Sequence, residues 1–303
     1  MATFNKILLT GINGQVGHAL YPKLQSLGEV IALGRDQLDL SKPDHIRDIV
    51  RTIKPDLIVN PAAYTAVDKA ESEPELAHAI NGIAPGILAE EAKKLNALLV
   101  HYSTDYVFDG TKTTPYIETD EPNPINVYGA SKLAGEKAIQ AIAGQHLIFR
   151  TSWVYGAYGR NFMRTILKLA QENKSLRIIS DQFGAPTASS SIAEYTTKIL
   201  RQWHTGHQHG IYHFVNEGHT TWFEFAKEIL NLYFEFPAHP SPPHASTSKE
   251  VIGISAKEYT TTAKRPSNST LSTFKIYTDF RLTLPKWQDA LRKEIELCRS
   301  MTR

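Results

Sequence analysis

Tyr128 and Lys132 stand four residues apart in the run Tyr-Gly-Ala-Ser-Lys. On a helix that spacing makes them neighbours, roughly 5–6 Å between Cβ atoms, so a phenol and an ammonium share one face. A phenol with a pKa near ~10 is a weak acid at neutral pH, and a fixed cation beside it favours the phenolate and draws the pKa toward working range. Tyr128 is then a candidate general acid, with Lys132 tuning it. The same spacing also occurs on ordinary solvated helices, so its meaning rests on the elements around it.

The first of those elements is a short apolar β run, Ile7-Leu8-Leu9-Thr10. It is followed by Gly11-Ile12-Asn13-Gly14-Gln15-Val16-Gly17, a G-x-x-G-x-x-G turn that leads into a helix. Glycines let the backbone approach a pyrophosphate closely, and free N–H groups at a helix start attract its charge. The expectation is a dinucleotide site. Pro22 either kinks the helix or ends it early.

A second strand, Glu29 to Leu33, ends in Gly34-Arg35-Asp36. An acidic residue there holds the ribose 2′-hydroxyl of NAD, whereas an Arg accommodates the 2′-phosphate of NADP. Arg35 leans the cofactor toward NADPH, and Asp36 keeps NADH open. A third strand, Asp56 to Asn60, runs into Pro61-Ala62-Ala63-Tyr64-Thr65, where small residues let a cofactor lie against the backbone. Helical patterns then cover 75–84 and 85–95, before the apolar strand 97–102 ends in Ser103-Thr104-Asp105. Hydroxyls at that strand end belong either beside Tyr128 in one cleft or in local caps. After the helix of Tyr128 comes the strand His146 to Arg150, ending in Thr151-Ser152-Trp153, whose indole either stacks on a ligand or joins the core.

Each of these strands is followed by a helix, which predicts an α/β fold with a Rossmann-type, doubly wound parallel sheet. Residues 1–180 are expected to form the dinucleotide-binding domain with the catalytic residues. Residues 181–303 should form mainly a smaller α/β substrate-binding lobe, with some segments returning to the first domain. Helices are expected near Ile192 to Trp203, from Thr221 onward and after Pro285, and the Pro- and Ser-rich stretch Phe236 to Lys249 reads as an exposed, mobile loop.

The 303 residues are 42% hydrophobic, enough for a large core, and 33 basic against 31 acidic residues leave no basic excess for nucleic acid. One cysteine, Cys298, excludes an internal disulfide, and no apolar run reaches the ~18–20 residues that span a membrane. The chain opens straight into a strand, so the cytoplasm is the expected location. His204, His207, His209 and His213 cluster, but no carboxylate or Cys joins them, and a polar loop is expected there rather than a metal site.

Glycine turn, Ser/Thr strand end and Y-x-x-x-K helix, in that order, resemble the extended short-chain dehydrogenase/reductase superfamily. Ala63 to Glu71, His101 to Phe108, Phe149 to Tyr155, Asp181 to Thr187 and Arg265 to Ser269 are similar, more closely, to the dTDP-4-dehydrorhamnose reductases. The resemblance implies NAD(P)H-dependent reduction of the 4-keto group of dTDP-6-deoxy-L-lyxo-4-hexulose to dTDP-L-rhamnose, a sugar for surface polysaccharide. By that resemblance Thr104, Tyr128 and Lys132 are catalytic, with Thr104 bonding the carbonyl oxygen. Thr104, Asp105, Tyr128 and Trp153 contact the sugar. Gly11, Gly14, Gln15, Val16, Gly17, Arg35, Asp39, Leu40, Ala62, Ala63, Tyr64, Thr65, Tyr128 and Lys132 bind the cofactor. Some members are dimers bridged by Mg²⁺ between carboxylates on the first helix and beyond the Pro-Thr motif. Here those stretches read His18-Ala19-Leu20 and Ala188-Ser189-Ser190-Ser191, which offer a hard cation little. Mg²⁺ is therefore not expected, and the chain is a monomer or a homodimer. Two other readings stay open: a reductase of another nucleotide-linked 4-keto-6-deoxy sugar, and a non-catalytic subunit like the β subunit of methionine adenosyltransferase.

Overall fold

The computed structural model describes residues 4–172, 175–204, 209–235 and 250–301. The stretch 236–249 and residues 205–208, with His207, lie outside the described residues.

In chain order the first half runs β1 (Lys6–Thr10), α1 (Gln15–Leu24), β2 (Glu29–Leu33), α2 (Pro43–Ile53), β3 (Leu57–Asn60), α3 (Val67–Ala70) and α4 (Pro74–His78). A π-helical turn, Ala79–Ile83, joins α4 to α5 (Ala84–Lys94), and β4 (Leu98–Thr104), a 3₁₀ turn (Asp105–Val107), α6 (Val127–Ile142) and β5 (His146–Thr151) follow. The second half contains β6 (Val154–Tyr155), α7 (Phe162–Gln171), β7 (Leu176–Ile179), β8 (Phe183–Gly184), β9 (Thr187–Ala188) and α8 (Ser189–Gln202). It continues with β10 (Gly210–His213), β11 (Thr220–Thr221), α9 (Trp222–Glu235), β12 (Val251–Ile254), α10 (Phe274–Phe280) and α11 (Trp287–Ser300).

Six strands form one sheet in the order β10-β5-β4-β3-β1-β2, and every pairing in it is parallel. Alternation along β1 explains the layers. Ile7 and Leu9 join the core beneath α1 and α8, with Leu20, Leu24, Ile192 and Ile199. Leu8 joins the core on the other face, with Ile46, Val50, Leu88 and Ile139 from α2, α5 and α6. A strand buried on both faces favours a continuous apolar run, and Ile7-Leu8-Leu9, Leu57-Ile58-Val59 and Leu98-Leu99-Val100 supply it, with polar residues gathered toward the carboxyl ends at Thr10, Asn60, His101, Ser103 and Thr104. The sheet is the doubly wound parallel sheet that the strand–helix alternation predicts.

A second core gathers Met163, Ile166, Phe225, Ile229, Trp287, Leu291 and Ile295 around α7, α9 and α11, beside the parallel pair β7–β12. Strand β10, although late in the chain, lies in the main sheet against β5, with Ile211 paired to Ile148. Pro22 neither ends α1 at once nor leaves it long: the helix carries on to Leu24.

Candidate active site

The carboxyl ends of β1 to β4 open onto a cleft of about 400 Å³. All of the residues expected to bind a cofactor line it: Gly11, Gly14, Gln15, Val16 and Gly17 at the turn; Arg35, Asp39 and Leu40 beyond β2; Ala62, Ala63, Tyr64 and Thr65 beyond β3; Tyr128 and Lys132 from α6. The turn is as tight as the glycine pattern requires. Gly11 has φ +61°, and a Cβ on it would lie 2.9 Å from the Ala62 Cβ; a Cβ on Gly17 would lie 2.2 Å from the Gly11 carbonyl oxygen. Helix α1 starts after Gly14 with no side-chain cap and no acidic residue in its first turn, which leaves its leading N–H groups for an anion. These features fit a dinucleotide pyrophosphate.

Asn13, Leu38, Tyr102, Ser103 and Thr151 also line the cleft, and the sequence reading did not single them out as cofactor contacts. The Ser103 Oγ and Thr151 Oγ1 are buried without a hydrogen-bond partner among the described residues. Their signal was available: both sit at carboxyl ends of strands, where open α/β sheets take their ligands.

Arg35 is exposed at the rim of this cleft, and Asp36 is exposed but does not line it. A guanidinium suits a phosphate through paired hydrogen bonds, so Arg35→Ala is expected to weaken NADPH more than NADH. Dissociation constants for both decide it, and equal losses would mean that Arg35 does not reach the 2′-phosphate.

Helix α6 is started by Asn126, whose side chain accepts from the Gly129 N–H at 2.7 Å. This presents Tyr128 in the first turn and Lys132 one turn later, both against the end of β4. Thr104, the last residue of β4, accepts from the Tyr106 N–H at 3.1 Å and donates to Asp105 Oδ1 at 3.0 Å. Its hydroxyl also acts on the Tyr128 phenol, favouring the ionised form. Tyr106 meets the Tyr128 ring edge-on, with centroids 6.0 Å apart. Thr104 and Asp105 are buried beneath the cleft rather than on its wall.

One expectation needs correcting here. The Tyr128 phenol is not drawn down by Lys132: burial pushes it up to about 12, the Thr104 hydroxyl lowers it, and the Asp105 charge raises it. The reason is where the ammonium points. Lys132 Nζ donates to the Tyr102 carbonyl at 2.6 Å and lies 3.2 Å from His101 Nε2. Burial lowers Lys132 to about 8, with the Glu136 carboxylate favouring its charge. Burial likewise pushes the Asp105 carboxyl up to about 7 against hydrogen bonds from Ser269 and Thr104, and its Oδ2 has no partner among the described residues.

Trp153 lines neither this cleft nor a second cavity beside it. Its backbone is left-handed at φ +45°, a conformation that is a genuine outlier for a bulky residue. Its ring stacks on Trp222 at 3.5 Å and 8°. The second cavity, about 230 Å³, is lined by Phe162, Arg177, Gln182, Trp222, Tyr259 and Arg265 among others. None of these was named from the sequence as a site residue. Arg265 opens the Arg-Pro-Ser-Asn-Ser run; it holds Asp68 at 2.6 Å, and its charge acts on the phenol of Tyr106, whose ring meets that of Tyr128.

Among the described residues no group of three His, Cys, Asp or Glu could hold a metal ion, and no helix is long and apolar enough to cross a membrane. His213 is buried in β10 against Phe108, and His209 faces His146. His18 stacks on Tyr158 at 3.8 Å, and Ser189 and Ser191 are buried at the start of α8.

Residues 5–300 match the family described as RmlD substrate binding domain. A dTDP-4-dehydrorhamnose reductase of Burkholderia thailandensis is 46% identical over 291 residues, covering 94% of this chain and 96% of the relative. The chain belongs to the dTDP-4-dehydrorhamnose reductase family. The reductase of that name from Escherichia coli K12 is 45% identical over 292 residues, covering 95% of this chain and 96% of the relative. The crystal structure of the Bacillus anthracis dTDP-4-dehydrorhamnose reductase in complex with NADP superposes with a TM-score of 0.88 at 33% identity, covering 98% of this chain and all of the other. In this member of the dTDP-4-dehydrorhamnose reductase family, the glycine turn and the Tyr128–Lys132 helix face one cleft.

Proposed function

We propose that this protein reduces the 4-keto group of dTDP-6-deoxy-L-lyxo-4-hexulose (dTDP-4-dehydro-L-rhamnose) to dTDP-L-rhamnose, with NADPH favoured over NADH. The observation that carries this reading is the joining of Thr104, Tyr128 and Lys132 to the cleft lined by the glycine turn and Arg35. When bound, the reduced nicotinamide supplies the hydride for the carbonyl carbon. The chain's own residues manage the proton. A donor must be protonated at neutral pH, and the buried Tyr128 phenol, pushed up to about 12, meets that condition. It gives its proton to the carbonyl oxygen, which as an alkoxide is more basic than the phenolate left behind. Lys132, its ammonium anchored on the Tyr102 carbonyl, holds the nicotinamide ribose. Thr104 donates its hydroxyl hydrogen to Asp105 and acts on the Tyr128 phenol. An Asp105 carboxyl that takes up a proton near pH 7 frees the Thr104 hydrogen for the carbonyl oxygen.

The second cavity suits the nucleotide half of the substrate. Phe162, Trp222 and Tyr259 offer ring faces for a base, and Arg177 and Arg265 offer charge for a diphosphate. On this reading residues 181–303 supply most of a substrate lobe, Asp105 and Trp153 act on the sugar's surroundings through Thr104 and Trp222 rather than by lining a cavity, and the protein works in the cytoplasm as a monomer or homodimer without Mg²⁺.

The test is oxidation of NADPH on addition of the dTDP-linked 4-keto sugar, with the product identified by NMR. Formation of dTDP-L-rhamnose is expected. Turnover only with a different nucleotide-linked 4-keto-6-deoxy sugar would replace the substrate and keep the chemistry. Cofactor binding without turnover of any such sugar would favour a non-catalytic subunit.

A further inference from the structure

Lys132 is the end of a chain of buried polar side chains that crosses the floor of the cleft. Its Nζ lies 3.2 Å from His101 Nε2 on β4. The His101 Nδ1 lies 3.0 Å from the Asn60 carboxamide on β3, and that carboxamide lies 2.6 Å from Thr10 Oγ1 on β1. Asn60 and His101 are register partners across adjacent parallel strands. Thr10 directly precedes the glycine turn, and its Oγ1 also faces the Ala62 N–H at 3.4 Å. All four side chains are at most 1% exposed. Burying this much polarity is costly unless each group is matched, and catalysis at Tyr128 does not by itself call for Asn60 or Thr10.

Donor and acceptor counting allows two self-consistent arrangements. An ammonium has only donors, so a charged Lys132 makes His101 Nε2 an acceptor. A neutral imidazole then carries its proton on Nδ1 and must donate to the Asn60 oxygen, and the Asn60 NH₂ faces Thr10. A neutral Lys132 gains a lone pair and permits every link to reverse: it accepts from Nε2–H, Nδ1 accepts from the Asn60 NH₂, and Thr10 donates to the Asn60 oxygen. A carboxamide turned by 180° keeps its shape while exchanging donor for acceptor. His101 itself stays neutral in both, because burial holds it well below the usual imidazole range, and a charged Lys132 adds to that.

We infer that His101 is a positioning residue which, with its tautomer set by Asn60, aims Lys132 and determines whether Lys132 carries a charge. The inference rests on the reading of Lys132 as part of the reductase site. The other charged group acting on this pair is Glu136, one turn along α6 and itself bound to Arg150 from β5; Tyr128 lies on the same helix, and Asp105, just beyond β4, acts on Tyr128. Neither Glu136 nor Asp105 belongs to the chain of hydrogen bonds, so variants at Asn60 and His101 separate its effect from theirs.

The experiment is an NMR titration of the full-length protein labelled with ¹³C at the lysine ε-carbon, the Lys132 signal being assigned by its loss in Lys132→Met. His101→Leu removes the acceptor and is expected to lower the Lys132 midpoint by about one to two pH units, the worth of one hydrogen bond to a charged group. Asn60→Asp puts a carboxylate on the Nδ1–H and locks in the arrangement of the charged lysine, so its midpoint is expected to rise. His101→Gln, which can accept from Lys132 while donating to Asn60, should restore the wild-type value. Opposite shifts cannot come from a general loss of stability. Midpoints unchanged, or moved in one direction by both variants, overturn the inference; should His101→Leu fail to fold, Asn60→Asp and His101→Gln still decide it. The titration needs no substrate, so a protein that shows these shifts yet reduces no sugar would sink the functional reading and leave this one standing.

Discussion

Tyr128→Phe is expected to lower kcat by about 10²–10⁴-fold, the usual contribution of a positioned general acid, while NADPH affinity stays near that of the wild type. The variant loses one oxygen and keeps the ring, so the edge-on contact with Tyr106 remains. Thr104 keeps its bonds to the Tyr106 N–H and to Asp105. The glycine turn and Arg35, which are remote in sequence from Tyr128, are untouched. Rapid-mixing measurement of a single turnover separates the chemical step from product release. A Phe variant that kept more than about a tenth of the wild-type single-turnover rate would remove Tyr128 from the role of proton donor.

The largest expected effect on stability comes from Glu136→Ala. Glu136 on α6 and Arg150 on β5 form a forked ion pair, with Nε to Oε1 at 3.0 Å and Nη2 to Oε2 at 2.7 Å, and their side chains are 0% and 2% exposed. The guanidinium also lies over the Phe108 ring, 5.1 Å from its centre. Deleting the carboxylate strands a buried cation, a loss that typically costs about 3–5 kcal/mol. Replacing both partners by apolar residues of similar volume, as in Glu136→Leu with Arg150→Met, is expected to restore most of it, because the desolvation of the pair vanishes with the pair. Urea unfolding of the single and double variants reads both outcomes. A single variant that lost less than about 1 kcal/mol would show that solvent reaches Arg150 when its partner is gone.

Much of the cofactor side of the site was legible because it is local. The turn from Gly11 to Gly17, Arg35 after β2 and the Ala62–Ala63 pair after β3 each follow a strand whose apolar run is plain in the sequence, and the rule that strand ends hold ligands places them together. Tyr128 and Lys132 were legible as a spacing, but not in their orientation. Lys132 turns to His101, 31 residues earlier on strand β4, and that pairing depends on the register of α6 against β4. Trp153 shows the same limit: its position at a strand end was readable, whereas its left-handed backbone and its stacking on Trp222, far along the chain, were not. The second cavity draws side chains from α7, β7, α9 and the segment around Arg265. No local pattern joins such distant pieces, and only the packing of the second core brings them to one wall.

The position of β10 has a consequence for how this chain is made. The main sheet is finished on one side by residues 210–213, which seal β5, yet β5 ends at Thr151 and nearly sixty residues emerge from the ribosome before its partner does. During that interval a strand that is buried at every position in the finished protein presents an unpaired row of N–H and C=O groups to its surroundings, the situation in which nascent chains associate edge to edge. A fragment ending at residue 180 would make that exposure permanent. An engineer dividing this protein for separate expression should therefore keep β10 with the strands that precede it, even though a cut before it looks natural from the order of the motifs.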